Sequence, residues 1–164
     1  MSPCSYKDVT FTVPGCFNSE TWDFDGGKEW TQEVEEAFIR LIERPYVKRV
    51  SILGGEPLAD KNVPDVLELV NKIRLLFPDK QIWLYTGYTL NSIISPVITD
   101  DFNPQRDEII KKRQCIVSII DVLVDGRYEE DKKDLSLQFR GSSNQRLINI
   151  QESLKTGEII LWNH

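Results

Sequence analysis

The sequence contains little histidine and little cysteine. Among its 164 residues the only histidine is His164, and the cysteines are Cys4, Cys16 and Cys115. A single histidine disfavours hydrolases that depend on a Ser-His or Cys-His pair. An odd number of cysteines favours reduced thiols over a disulfide framework, so we expect the protein to reside in the cytoplasm.

Three further features are missing, and each argues against a class of partner. The chain has no excess of basic residues: its net charge is −6, whereas proteins that bind nucleic acid usually present a basic surface. No run approaches 18 apolar residues, so we expect no membrane span. Neither GxGxxG nor GxxxxGK[ST] occurs, so neither common nucleotide-binding loop is supported. The overall composition, 40% hydrophobic and 28% charged, is typical of a globular protein. The length predicts one domain over residues 1–164.

Strand-like and helix-like segments alternate along the chain, which predicts an α/β fold with a mostly parallel sheet. Thr31 is placed to cap the first helix, Pro45 to end it, and Pro64 to lie in the first turn of the second. An open sheet of about four to six strands is expected, because a closed eight-stranded barrel needs roughly 250 residues. The predicted strands are 8–13, 46–53, 81–85, 120–124 and 158–162, and the predicted helices are 31–44, 62–77 and the region around 106–114.

Glycine-containing loops follow three of these strands. They read GGEP (54–57), TGY (86–88) and DGRY (125–128), and each carries a polar side chain: Glu56, Thr86 or Asp125. One such loop is typical of ordinary turn chemistry. Three of them at the carboxyl ends of parallel strands favour a small-molecule site, since α/β proteins bind their ligands at that edge.

The order and spacing of several longer motifs carry a family resemblance. GCFNSETWDFDGGKEWT, LGGEPL, IWLYTGY, VDGRYEEDKKDLSLQFRGSSNQR and GEIILW follow one another between about residues 8 and 162. Together they resemble the activating proteins of anaerobic (class III) ribonucleotide reductases, which are small radical S-adenosylmethionine enzymes. GGEP is shared by many radical S-adenosylmethionine proteins, whereas the VDGRYEEDKKDL block is much more specific.

The resemblance implies a fold, a reaction, cofactors and partners. The fold would be an open partial (βα) barrel of the radical S-adenosylmethionine type. A [4Fe–4S] cluster, held by three cysteines spaced C-x3-C-x2-C, would reductively cleave S-adenosylmethionine to a 5′-deoxyadenosyl radical. That radical would generate the glycyl radical on the large subunit of the reductase. An electron donor protein such as a flavodoxin would be a second partner.

The resemblance also implies roles for particular residues of this chain. Cys16 matches the third cluster cysteine and is the only metal ligand expected; no residue is assigned as catalytic. The GGEP segment matches the one that receives the methionine amino group. Thr86 and Asp125 are candidates for the rest of S-adenosylmethionine. The expected cofactor-binding residues, which should line one cleft with Cys16 at its rim, are Asn18, Gly54, Gly55, Glu56, Pro57, Thr86 and Asp125.

The chain departs from the family pattern at its cysteines. The first two motif cysteines are absent, as though the segment between Val13 and Pro14 were shortened. One thiolate cannot hold a four-iron cluster. Three explanations stay open: a truncated or edited activating enzyme, a degenerate relative that binds or docks without radical chemistry, or an intact protein with other ligands.

Two remaining features have competing interpretations. Cys115 lies in the apolar run QCIVSII, which predicts a buried side chain in or near the fourth strand. RGSSNQR (140–146) is either a hydrogen-bonded loop that closes the end of the sheet or a docking surface for the reductase. In the second case Arg140 or Arg146 would anchor the interface.

Overall fold

The structure, a computed structural model, describes residues 29–95 and 103–163. The predicted strand 8–13 lies outside these residues. The α-helices are Gln32–Ile42 (α1), Val63–Leu76 (α2), Leu90–Ile94 (α3), Pro104–Ile119 (α4) and Ile150–Thr156 (α5). The strands are Arg49–Ile52 (β1), Gln81–Tyr85 (β2), Val122–Asp125 (β3) and Arg146–Asn149 (β4), and a short 3₁₀ helix covers Glu130–Lys132.

The four described strands form one open sheet in the order β1-β2-β3-β4. β1 and β2 are parallel, with Val50 opposite Ile82, and β2 and β3 are parallel, with Leu84 opposite Leu123. β4 runs antiparallel to β3 and forms an edge of this sheet. The prediction of an α/β fold with a mostly parallel open sheet is therefore confirmed.

The two faces of the sheet pack differently, because alternate residues of a strand point to opposite sides. On the first face, Val50, Ile52 and Leu84 join the apolar sides of the helices in the main core. On the second face, buried Trp83 packs edge-on against Trp162, with ring centroids 4.7 Å apart. The Arg49 guanidinium lies 3.9 Å from the centroid of the Trp83 ring and covers the amino end of this second face.

The helix starts follow the capping signals of the sequence. The Thr31 side chain accepts a hydrogen bond from the Val34 amide, and α1 begins at the next residue, as predicted. Asn62 precedes α2, with Pro64 in the first turn. The Asn62 side chain makes no capping hydrogen bond and instead donates to the Glu56 carbonyl oxygen at 2.9 Å. The start of α2 is thereby fastened to the loop that follows β1.

Two sequence predictions were wrong. The helix expected around 106–114 extends to Ile119, so Cys115 lies on α4 as an exposed residue and not buried in a strand. The β-branched run that suggested a strand is helical here because Ile116 and Val117 bury their side chains from the helix, which overrides local propensity. The segment 158–162 contributes only an isolated bridge between Leu161 and Ile148, with two backbone hydrogen bonds of 2.8 Å to the edge of β4 that β3 leaves free.

The RGSSNQR loop is closed by hydrogen bonds within itself. The Arg140 guanidinium donates to the Gln145 carbonyl oxygen at 2.8 Å, and the Gln145 side-chain oxygen accepts from the amides of Gly141 and Ser142. Arg146 pairs with Asp125 of the neighbouring strand. Both arginines are therefore engaged inside the fold, which favours the loop-closing interpretation over the docking surface.

None of the helices within residues 29–95 and 103–163 has the length and apolar character needed to cross a membrane.

Candidate functional site

The loops after β1, β2 and β3 meet at the carboxyl edge of the sheet. Backbone hydrogen bonds join the second loop to β3 and to the third loop, from the Thr86 amide to the Val124 carbonyl at 3.0 Å and from the Gly126 amide to the Tyr88 carbonyl at 3.1 Å. Glu56, Thr86 and Asp125 are all buried at this edge, at 4%, 6% and 1% exposure. These three predicted cofactor-binding residues therefore lie at one edge of the sheet.

The Glu56 carboxylate connects the first two loops. Its Oε1 accepts from the Thr86 hydroxyl at 2.6 Å and from the Leu58 amide at 2.9 Å. Its Oε2 accepts from the Gly87 amide at 2.7 Å. Burial raises the pKa of Glu56, because the ionised form loses its hydration, while these three hydrogen bonds and the charge of Arg113 oppose the shift.

Thr86 completes this connection from the second loop. Its hydroxyl donates to Glu56 and at the same time accepts from the Tyr88 amide at 3.1 Å. A hydroxyl can do both, because it has one donor hydrogen and two acceptor lone pairs. Thr86 therefore holds the turn of its own loop and the carboxylate of the neighbouring loop together.

The two glycines before Glu56 leave one side of the first loop open. Gly54 and Gly55 have φ values of +88° and +51°, a left-handed conformation that glycine adopts without steric cost. A Cβ atom added to Gly54 would meet no other atom within 4 Å. An ammonium group only donates hydrogen bonds and needs oxygen acceptors. Since three donors already occupy the Glu56 carboxylate, the backbone carbonyls of this segment are the better acceptors for such a group.

Asp125 is used for a different purpose from Glu56. Its Oδ1 accepts from Arg146 Nε at 2.9 Å, and its Oδ2 accepts from the Leu90 amide at 2.8 Å and from Arg146 Nη2. These contacts tie β3 to β4 and to the start of α3. Asp125 therefore stabilises the packing of these three elements below the loops, and both of its carboxylate oxygens accept hydrogen bonds.

The sequence interpretation missed Arg113, which reaches both motif loops from α4. Its guanidinium donates to the Leu58 carbonyl oxygen at 2.8 Å, to Asp60 at 2.7 Å and to the Tyr88 hydroxyl at 2.9 Å. No local pattern marks this arginine, because its partners lie 25 to 55 positions away along the chain.

A cavity of 220 Å³ lies beside this arginine, between the two loops and the helices α3 and α4. Apolar isoleucine side chains form part of its wall, and polar or charged groups form the remainder. Its lining residues are Asp60, Tyr88, Ser92, Ile93, Arg106, Ile109, Ile110 and Arg113.

The described residues do not supply a ligand set for an iron–sulfur cluster. Within residues 29–95 and 103–163 no group of three His, Cys, Asp or Glu side chains is arranged to hold a metal ion. The one cysteine in these ranges, Cys115, is exposed on α4. The predicted ligand Cys16 and the neighbouring Asn18 lie outside the described residues.

A family model first shows the general class of protein to which the chain belongs. The model of a family described as "4Fe-4S single cluster domain" matches residues 6–148, which is most of the chain. The protein is therefore an α/β chain of this iron–sulfur class. No solved structure matches the chain.

Curated relatives narrow the class to one family. The protein of Escherichia coli is 40% identical over 134 residues, 80% of this chain and 77% of the relative. That of Vibrio cholerae is 38% identical over 133 residues (80% and 76%), and that of Pasteurella multocida is 33% identical over 138 residues (83% and 78%). All three are named anaerobic ribonucleoside-triphosphate reductase-activating protein. The chain belongs to this family.

Proposed function

We propose that this protein activates an anaerobic ribonucleoside-triphosphate reductase by radical S-adenosylmethionine chemistry. The observation that carries the proposal is the pair of loops joined by Glu56, with the open left-handed Gly54–Gly55 segment beside it. Membership of the activating-protein family supports the same reaction. A reduced [4Fe–4S] cluster, when bound, would supply the electron for cleavage of S-adenosylmethionine to methionine and a 5′-deoxyadenosyl radical, and that radical would take a hydrogen atom from a glycine of the reductase.

The residues of this chain bind and orient the cofactor in this proposal. The backbone carbonyls of Gly54 and Gly55 accept from the methionine ammonium, and Pro57 restricts the conformation of the loop. Glu56 and Thr86 hold the two loops at a fixed separation, and Asp125 supports them from the next strand. Asn18 and Cys16, beyond the described residues, complete the cofactor and cluster contacts.

The proposal extends to the architecture and setting of the protein. Residues 1–164 form one radical S-adenosylmethionine domain, an open partial (βα) barrel in which the described strands β1 to β3 are three successive parallel strands. The large subunit of the reductase is the target, a flavodoxin-like protein is the electron donor, and the cytoplasm is the setting. The odd number of cysteines in the sequence supports that setting.

The experiment combines iron analysis with product analysis. The full chain is reconstituted anaerobically with iron and sulfide and then incubated with dithionite, S-adenosylmethionine and an anaerobic reductase. We expect about four irons per chain, release of 5′-deoxyadenosine and methionine in equal amounts, and a glycyl-radical signal in the electron paramagnetic resonance spectrum. A chain that binds no iron and releases no 5′-deoxyadenosine would overturn the proposal and leave a docking protein without a cluster.

A further inference from the structure

Arg113 occupies a position between the two motif loops that no feature of the sequence assigns. It comes from α4, a helix of 16 residues that packs against the rest of the core. Its side chain is 14% exposed, and its guanidinium lies 4.6 Å from the centroid of the Tyr88 ring. Tyr88 belongs to the TGY loop, whereas Leu58 and Asp60, the other two partners, directly follow GGEP.

The chemistry of these contacts requires an arginine. The planar guanidinium presents donors in a fixed fork, so Nε can reach the Leu58 carbonyl while Nη2 reaches Asp60 and Tyr88. A lysine ammonium would keep the charge, but its single nitrogen cannot span these acceptors in the same geometry. The stacking on Tyr88 adds a cation–π contact that a neutral side chain would lose.

Arg113 and Glu56 act on the same pair of loops. Glu56 joins Leu58 to Thr86 and Gly87 through its carboxylate, and Arg113 joins Leu58 to Tyr88 through its guanidinium. We propose that Arg113 is a positioning residue that sets the separation of the GGEP and TGY loops and thereby the affinity for S-adenosylmethionine. The inference rests on the proposed function, because that function assigns the ligand to these loops.

The test compares Arg113→Gln and Arg113→Lys with the control Lys112→Gln. The control also removes one positive charge from α4, but Lys112 pairs with Glu108 on the surface and not with the loops. The first measurement is hydrogen exchange of the Leu58, Ala59 and Gly87 amides, which requires neither cluster nor ligand. The second is the dependence of 5′-deoxyadenosine release on the concentration of S-adenosylmethionine.

Arg113→Gln should raise the amide exchange rates of both loops by about tenfold, as expected for the loss of charged hydrogen bonds. It should raise the KM for S-adenosylmethionine by about the same factor. kcat should change much less, because the residue acts on binding geometry and not on the reacting atoms. Arg113→Lys should give intermediate exchange rates and an intermediate KM, because it retains the charge and the fold. Lys112→Gln should match the wild type in both quantities.

Three results separate the possible failures. Unchanged loop exchange in Arg113→Gln would overturn the positioning role itself. Faster exchange with an unchanged KM would overturn the link to S-adenosylmethionine. A wild-type chain that releases no 5′-deoxyadenosine would overturn the proposed function, and the exchange data alone would then decide whether Arg113 positions the loops.

Discussion

Glu56 is a carboxylate with almost no contact with water, placed where two loops of the sheet edge meet. Its position in the family motif suggests direct contact with a ligand, yet its oxygens accept from Thr86, Gly87 and Leu58. An internal role of this kind explains why the position needs an acidic side chain. Only a carboxylate offers enough lone pairs to accept from three donors in two directions.

The pKa shift of Glu56 predicts a pH dependence of stability. Burial raises the pKa, so the folded chain keeps a proton that the unfolded chain has already released. The free energy of unfolding should therefore decrease as the pH rises from the ordinary glutamate pKa through the raised one. Glu56→Gln does not titrate in this range. Urea denaturation of both proteins from about pH 4 to about pH 8 should show the wild type losing stability relative to the variant. A difference that stays constant or grows with pH would contradict this assignment.

Removal of the Thr86 hydroxyl should weaken the connection between the loops. Thr86→Val keeps the shape of the side chain but deletes the donor to Glu56 and the acceptor for the Tyr88 amide. The free energy of unfolding should fall by about 1 to 3 kcal/mol, because buried polar groups are left without partners. Thr86→Ser retains the hydroxyl and should lose only about 1 kcal/mol, for one methyl group. Equal losses in the two variants would show that packing, and not the hydroxyl, is what matters here.

At the scale of secondary structure elements, Asp125 connects β3 to β4 and to the start of α3. Among the named strands β4 pairs only with β3, and on its other edge it is held by the bridge to Leu161. The ion pair between Asp125 and Arg146 spans the ladder at the carboxyl end of β3, and the Leu90 amide donates a hydrogen bond to the same carboxylate. One side chain thus joins three elements.

Asp125→Asn should destabilise this junction. The substitution removes a buried charge that faces Arg146 and replaces one acceptor oxygen by an amide group. We expect the free energy of unfolding to fall by about 2 to 3 kcal/mol, measured by urea denaturation. Glu152→Gln is the control, since it breaks an exposed pair with Lys155 on α5 and should cost less than about 1 kcal/mol. Similar losses in both variants would mean that Asp125 is no more important than a surface pair.

At the scale of the whole molecule, the three motif loops and the predicted cluster ligand Cys16 belong to different parts of the chain. The described residues hold the three motif loops together without any metal-ligand group among them. The predicted cluster ligand Cys16 lies outside the described residues. A shortened cysteine segment would therefore affect iron binding and leave the three motif loops in place.

If the chain as given binds no iron, lengthening the cysteine segment should produce iron binding. A segment that ends in Cys-x3-Cys, inserted between Val13 and Pro14, completes a C-x3-C-x2-C pattern with Cys16 as its last member. After anaerobic reconstitution this chain should bind about four irons, because three thiolates can hold such a cluster. Cys16→Ala in the lengthened chain should abolish binding, whereas Cys115→Ala, on α4, should leave it intact. A full cluster in the Cys16→Ala chain would make that residue structural.

The sequence by itself determined the alternation of elements, most helix starts and the loops that carry the motifs. The strand 81–85 could be predicted from its short apolar run, and the capping role of Thr31 from its position before a helical pattern, because both are local properties. The family resemblance rested on the same local strings. Segments without such strings, including β4 and the full length of α4, were missed or misassigned.

Only the tertiary structure decided the partners of the polar side chains. Glu56 and Thr86 are 30 positions apart, Asp125 and Arg146 are 21 apart, and Arg113 reaches back 55 positions to Leu58. No local pattern encodes such pairs, because they form when the sheet brings distant loops to one edge and burial then makes each polar group require a partner. The exposure of Cys115 was decided in the same way, by which side of α4 faces the core.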